Sequence, residues 1–230
     1  MPQATETAPD GSVINRYATC EAPKSGVGAG PVAEFARARE EVYEGFFGSC
    51  SSVSHEAVPY VPHIDVFTYE AGSAGRNFCT IVTSGMSDIP MAFPAEAKTP
   101  PQRTRAELIF YCAEPRQEYI QTIRWLARFP HDNRTWISWG HTIPNGNPPA
   151  PFWGSRTLDT VLLMPTIVRP DSWLSSELQL GDDPVEFLWV VPLTTAECDW
   201  KLTKGFDALM ELFQERRHPH VYDPNRQSYV

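Results

Sequence analysis

The sequence predicts an α+β fold, in which helices pack against a mixed, mostly antiparallel β-sheet. The candidate elements follow the order helix, strands, helix, strands, helices, which is typical of this class. Hydrophobic residues make up 42% of 230 residues, so the chain is long and apolar enough to bury a core without disulfides or metals. The 22 prolines fall largely between candidate elements, chiefly in 90–101 and 144–151, and indicate stiff connections and not disorder.

The first candidate element is a helix that begins at Pro31, because proline at the first helical position loses no needed hydrogen bond. Its apolar residues recur at helical spacing until Gly48 ends the pattern: Val32, Phe35, Val42, Tyr43 and Phe46. Residues 1–30 show no such periodicity and are rich in small and polar residues. We therefore expect a flexible leader over 1–30 and one domain over 31–225, with 226–230 as a C-terminal tail.

Short segments rich in β-branched and aromatic residues predict the strands. They are 64–70, 78–84, 106–112, 135–139, 157–164 and 185–191. The glycine-containing turn at 72–75 predicts that the first two strands form a hairpin. The last segment is apolar enough to be a central strand.

Three further helices are predicted around these strands. The first covers 118–129 and is closed by Pro130, and the others cover 195–201 and 206–217. Thr194 and Glu197 have the spacing of a capping box at the start of the second. Four prolines predict that 141–151 is a loop.

The net charge of −9 is concentrated in residues 171–200, which contain no Lys or Arg. The seven acidic residues there are Asp171, Glu177, Asp182, Asp183, Glu186, Glu197 and Asp199. They are either ordinary solvated acids or a negative face that steers a basic protein partner. An acidic chain is poorly suited to nucleic acid, since neutralising phosphates requires Lys and Arg.

Other classes of protein and site are disfavoured by what the sequence lacks. The first residues have no signal-peptide pattern, and no apolar run approaches the roughly 18 residues of a transmembrane helix. Five scattered cysteines without a CxxC pair indicate reduced thiols in a cytoplasm, and not a disulfide framework or zinc site. No nucleotide-binding or hydrolase motif occurs, so no cofactor is expected.

Two groupings nevertheless carry chemistry. His63 and Asp65 alternate along a candidate strand and, with His141, are the basis for an alternative hydrolase function. With His131 the same residues are a weak candidate for a metal site, which needs three or four converging ligands. The hydroxyls of 84–88 lie near Asp88, but a turn explains them more simply than a nucleophile.

Six motifs in order resemble the Suppressor of fused family in its bacterial single-domain form. They are His63-Ile-Asp-Val-Phe-Thr-Tyr69, Thr83-Ser-Gly-Met-Ser-Asp-Ile-Pro-Met91, Arg105-Ala-Glu-Leu-Ile109, Leu126-Ala-Arg-Phe-Pro-His131, Trp139-Gly-His-Thr-Ile-Pro-Asn-Gly146 and Asp199-x-Lys-Leu-x-x-Gly-x-x-Ala-Leu209. The resemblance implies a mixed α/β domain with no known cofactor and no established catalysis. Animal members bind a short peptide of a transcription factor, and bacterial members are considered immunity proteins that neutralise toxins.

The resemblance implies a non-enzymatic protein-binding domain, with toxin neutralisation as the first hypothesis. A regulatory scaffold that binds a peptide of a transcription regulator is an alternative. The aromatic residue of the animal groove corresponds to Phe129, and Gly140 replaces an acidic groove residue. We expect the partner-facing residues to be Phe129, Trp139, His141 and Thr142, together with Asp182 and Asp183 from the acidic segment.

Overall fold

The computed structural model of the chain describes residues 4–7, 13–16, 32–57, 60–93 and 103–230. The first elements along the chain are β1 (Ala4–Thr7), β2 (Val13–Arg16), α1 (Val32–Phe47), β3 (Ser52–Ser54), β4 (Asp65–Tyr69), β5 (Cys79–Ser84), β6 (Arg105–Cys112) and α2 (Gln117–Asp132). The remaining elements are β7 (Thr142–Pro144), β8 (Leu158–Pro165), α3 (Leu174–Glu177), β9 (Gln179–Leu180), β10 (Asp183–Thr194), α4 (Thr195–Lys204) and α5 (Phe206–Glu215).

One large sheet organises these elements in the order β3-β4-β5-β6-β10-β8-β7, with β9 paired to β10. β6 and β10 run parallel, whereas the other pairs are antiparallel. The apolar segment predicted as a central strand forms part of β10, between β6 and β8. The predicted mixed, mostly antiparallel α+β fold is therefore confirmed.

Both faces of the sheet are buried. Neighbouring residues of a strand point to opposite faces, and in β6 the consecutive residues are apolar, so each face contributes to a core. Leu108 and Phe110 of β6 belong to a core that α2 covers. Ile109 and Tyr111 belong to the core on the other face, which α1 and α5 cover. The sheet is thus the middle layer between helices, and its two edges remain at the periphery.

The sheet splits between its two parallel strands. β6 pairs with β10 only as far as Ile109 and Trp189, after which β10 pairs with β8 alone. The C-terminal segment, 218–230, enters this gap, where the Tyr222 N–H donates to the Tyr111 carbonyl at 2.9 Å. Beyond it, the Arg226 guanidinium donates to the Pro192 carbonyl at 3.1 Å. Residues 226–230, which we expected to be a tail, therefore include side chains that are part of the packed domain.

The structure confirms the first helix, the hairpin of β4 and β5, and the capping box, in which Thr194 and Glu197 each bond the other's backbone N–H. Pro130 does not close the second helix as predicted, because it lies in the last turn and the helix continues to Asp132. Proline in this turn removes only one backbone hydrogen-bond donor from the helix. The Pro130 carbonyl accepts a hydrogen bond from the Thr135 N–H at 2.9 Å.

Two predictions near the sheet edge are wrong. Residues 135–139 form no strand, because the Ile137 N–H donates to the Met91 sulfur at 3.4 Å and not to a neighbouring strand. The predicted loop 141–151 instead begins with a strand, β7, which pairs with β8. In the predicted leader, β1 and β2 pair antiparallel, and the rest of 1–30 lies outside the described residues.

Candidate functional site

β7 is the last strand of the sheet, and no other strand of the described residues pairs with its outer side. This edge is here called the β7 edge (139–144). Leu163 of β8 directs both its N–H and its C=O towards β7, bonding the His141 carbonyl and the Gly140 N–H at 3.0 and 2.7 Å. Because backbone groups alternate in direction along a strand, Ile143 pairs with Val161 and the backbone of Thr142 faces away from the sheet. Pro144 also faces outward but has no N–H, so the outward donor of this strand is Thr142.

An exposed indole lies beside this strand. Trp139 is 54% exposed, and its ring meets Phe206 of α5 edge-on at 5.5 Å between ring centres. Gly140 follows with φ of +81°, which turns the chain into β7. The Lys201 ammonium of α4 donates to the Gly140 carbonyl at 2.5 Å, so α4 and α5 hold the turn that presents Trp139.

His141 follows Gly140 and is partly buried. Its ring meets Trp136 edge-on at 5.9 Å between ring centres. Burial lowers the pKa of His141, and the positive charge of Lys201 lowers it further. A neutral imidazole at this edge is able both to donate and to accept a hydrogen bond, without adding charge.

The predicted partner-facing residues do not form one site. Trp139, His141 and Thr142 lie together at the β7 edge, whereas Phe129 is on α2. Thr142 is in register with Leu162 and, across β8, with Val191. Asp183 is eight residues from Val191 along β10, which corresponds to roughly 26 Å of extended strand.

Phe129 belongs to a second aromatic surface, whose other members, Trp125 and Tyr60, were not predicted to face a partner. Its ring is 6.0 Å from that of Trp125, which is 48% exposed. The Arg128 guanidinium lies 4.6 Å from the ring centre of Tyr60, which is 53% exposed. Trp125 falls outside the apolar stripe of α2, and an indole off that stripe was the available signal.

The acidic segment 171–200 does not form one negative face. Asp171 is fully buried, where Arg76 and the Tyr111 hydroxyl donate hydrogen bonds to its carboxylate. Glu197 is equally buried and accepts two hydrogen bonds from Arg226. These two acids pair with arginines within the core, so they contribute to its packing and not to steering.

The remaining acids of the segment are closer to solvent. Asp183 forms an ion pair with Arg105 at 2.9 Å and is about half exposed. Glu177, Asp182 and Asp199 are exposed, and Glu186 is half-buried. The negative potential available to a partner is therefore smaller than the sequence suggests.

The residues of the alternative hydrolase do not converge. His63 Nε2 is 3.0 Å from Asp65, whose other carboxylate oxygen is 2.9 Å from His55 Nδ1. His141 precedes β7, five strands from β4 in the sheet order, which corresponds to roughly 24 Å at ordinary strand spacing. The proposed combination of His63, Asp65 and His141 is therefore wrong as an active site.

The serine-containing turn after β5 is occupied by a structural network. Ser84 Oγ accepts a hydrogen bond from Arg39, and Ser87 Oγ donates to the buried carboxylate of Glu107 at 2.5 Å. Arg39 also pairs with Asp88 at 2.5 Å. These bonds attach α1 to the sheet and leave neither serine beside a histidine base.

The metal hypothesis also lacks geometric support. The His131 Nε2 is already engaged by the Met86 carbonyl, to which it donates a hydrogen bond at 3.0 Å. Among the residues that the structure describes, no group of three His, Cys, Asp or Glu side chains could hold an ion. In the same part of the chain, every helix is too short or too polar to cross a bilayer.

The comparisons with known proteins identify one family. The family model described as Suppressor of fused protein (SUFU) matches residues 61–227. This match includes β4 to β10, all helices after α1, and most of the C-terminal segment. No curated protein matches the chain.

Solved structures agree with this match at the level of the fold. A protein described as a SUFU homolog from Neisseria gonorrhoeae FA 1090 has a TM-score of 0.65 at 17% identity, with 86% of this chain and 98% of that chain covered. Drosophila Suppressor of Fused gives 0.57 at 15% identity, covering 86% of this chain and 51% of that one. A chain of a Sufu–Fu complex gives 0.55 at 13% identity, with coverage of 86% and 91%.

Proposed function

Because the chain belongs to the Suppressor of fused family, we propose that it is a protein-binding domain of the bacterial immunity type, which binds and neutralises a toxin. The observation that carries the binding role is the β7 edge, where an outward-facing backbone lies beside the exposed Trp139. The family likeness supports this role, since one similar chain was solved in a Sufu–Fu complex.

The β7 edge suits an extended segment of the partner. An added strand would pair with the outward N–H and C=O of Thr142, while its side chains contact Trp139 and Phe206. Tryptophan is enriched among residues that dominate binding energies, and here it is already held by Phe206 before the partner arrives. Pro144 limits this pairing to a short stretch, so we expect side-chain contacts to supply much of the specificity.

We still propose a basic partner, but with a smaller contribution from the acidic segment to its binding. Asp182 and Asp183 lie at the opposite end of β10 from the β7 edge, and Asp183 is partly neutralised by Arg105. Exposed charges of this kind mainly change association rates and their salt dependence. We therefore expect these acids to assist the encounter and Trp139 to determine the stability of the complex.

The first experiment tests the binding site. Immobilised wild-type chain captures its partner from lysate of the source organism, and Trp139→Ala is compared with Trp173→Ala, whose indole is 56% exposed elsewhere. We expect Trp139→Ala to weaken binding about thirtyfold, as for a residue that contributes about 2 kcal/mol, and Trp173→Ala to bind normally. Thr142→Pro removes the outward N–H and should also weaken binding. Equal binding by the wild type and all variants would exclude the β7 edge as the binding site.

A second experiment tests neutralisation. The captured partner is expressed in a bacterial host with and without the chain, and growth is measured. Relief of growth arrest by the wild type, but not by Trp139→Ala, is the expected result for a toxin. A captured transcription regulator with no effect on growth would instead favour the scaffold function.

A further inference from the structure

Two free cysteines lie opposite each other on neighbouring strands of the sheet. Cys79 is the first residue of β5, Cys112 is the last residue of β6, and the two are directly opposite in the antiparallel register. Directly opposite residues of such a pair project to the same face, and both thiols belong to the same buried core. The pair therefore combines proximity with a shared direction, which no other two cysteines in the described part of the chain do.

The backbone separation is compatible with a covalent bond. Opposite residues of an antiparallel pair have Cα atoms about 4.5–5.5 Å apart. Disulfides span Cα separations of about 4.4–6.8 Å. The strands therefore need no separation, and only side-chain rotation with a small backbone adjustment would bring the sulfurs into bonding distance.

The pair also lies where the sheet can open. The turn that follows Cys112 begins with the exposed Ala113 and Glu114, and Asn77 before β5 is exposed as well. Cys79 Sγ lies near this end of the sheet, where it donates a hydrogen bond to the Ala113 carbonyl at 3.4 Å. Strand ends open at a lower free-energy cost than strand centres, which gives a small reagent access to otherwise buried thiols.

We propose that Cys79 and Cys112 are a redox-modified dithiol that forms a reversible cross-strand disulfide with a low-molecular-weight disulfide as the oxidant. The Cys79 thiolate attacks the oxidant and expels one of its sulfurs as a thiol. The Cys112 thiolate then attacks the mixed disulfide at Cys79 and expels the second. Two cysteine protons are lost, one sulfur–sulfur bond forms in the protein, and the oxidant is reduced to two thiols.

The disulfide would fasten β5 to β6 where the C-terminal segment docks. Tyr222 of the C-terminal segment forms a parallel bridge with Cys112. Cys112 would therefore be joined to Cys79 by the disulfide and paired with the C-terminal segment at the same time. Burial, with a smaller contribution from the neighbouring Cys79, raises the pKa of Cys112 to about 12. Burial also raises the pKa of Cys79. The reaction is accordingly slow at neutral pH and accelerates about tenfold for each pH unit, as the thiolate fraction does.

The test uses the full chain with Cys20, Cys50 and Cys198 replaced by serine, so that only the pair remains. It is incubated with oxidised glutathione at pH 7.5 and 8.5, alkylated, digested with trypsin and analysed by mass spectrometry. The expected product has lost two hydrogen atoms and links peptide 77–98 to peptide 106–116, and dithiothreitol separates them. The rate should be about tenfold higher at pH 8.5.

Single variants distinguish the disulfide from simple adducts. Cys79→Ser and Cys112→Ser should each give no linked peptides. If circular dichroism shows that the Cys112→Ser variant does not fold, Cys112→Ala replaces it. Cys50→Ser and Cys198→Ser in the wild-type background should retain them. A stable glutathione adduct without linkage, or unmodified thiols at equilibrium at pH 8.5, would overturn the proposal.

Discussion

The buried ion pair of Glu197 and Arg226 shows how single residues hold the C-terminal segment in place. Arg226 donates to both carboxylate oxygens at 2.5 and 2.7 Å, and both side chains are almost fully buried. Burial alone would raise the pKa of Glu197, but the hydrogen bonds and charge of Arg226 outweigh it and hold that pKa below its ordinary value. The carboxylate thus depends on its partner to remain charged in the core.

Arg226→Met should therefore destabilise the protein by about 3–5 kcal/mol, because it leaves a buried carboxylate without its counter-charge. Urea unfolding followed by fluorescence measures the free energy. The double variant Arg226→Met with Glu197→Gln should regain much of the loss, since no buried charge then remains. Equal losses in the single and double variants would show that packing of Arg226, and not charge, dominates.

At the scale of elements, one glycine determines how β5 passes into the turn beneath β4. Gly85 has φ of +118°, and its N–H donates to Glu107 at 2.9 Å. A Cβ atom there would lie 1.9 Å from the His63 carbonyl oxygen. Glycine is needed for close approach of two backbones as well as for the dihedral angle.

Gly85→Ala should cost about 3 kcal/mol or more, because both strain and a backbone clash oppose it. Gly72→Ala is the matched control, since Gly72 has φ of +100° but nothing within 4 Å of the added atom. We expect the control to cost about 1 kcal/mol. Urea midpoints measure both, and similar losses at the two glycines would refute the clash.

The elements also show what the sequence could and could not predict. Long apolar segments such as the central part of β10 were found, because β-branched residues and burial give a strong local signal. The three-residue β7 was missed, since Pro144 and the following prolines resemble a loop and only pairing with β8 makes it a strand. The separation of Phe129 from Trp139 depends on the sheet order, which local patterns do not contain.

At the scale of the whole molecule, buried histidines link stability to pH. Burial lowers the pKa of His131 to about 4 and that of His218 to about 3. In the unfolded chain the same rings titrate near 6.5. Between these values the unfolded state binds protons that the folded state does not, so stability is full above about pH 6.5 and falls as the pH decreases.

The free energy of unfolding should consequently fall by about 3 kcal/mol for His131 between pH 7 and pH 4. His131→Gln should flatten this dependence while leaving an amide to bond the Met86 carbonyl. His55→Gln is the control, because the His55 side chain is 73% exposed. Urea titrations at several pH values provide the measurement, and a slope unchanged by His131→Gln would contradict the assignment.

The split between β6 and β10 has a consequence for synthesis on the ribosome. The chain cannot fill this gap until Tyr222 and Arg226 have left the exit tunnel, although β6, which forms one wall, emerges much earlier. Until then the exposed edges of β6 and β10 are open to other strands, which is a common route to misassembly. A chain in which the segment around Tyr222 has not yet docked therefore exposes strand edges that another chain could pair with.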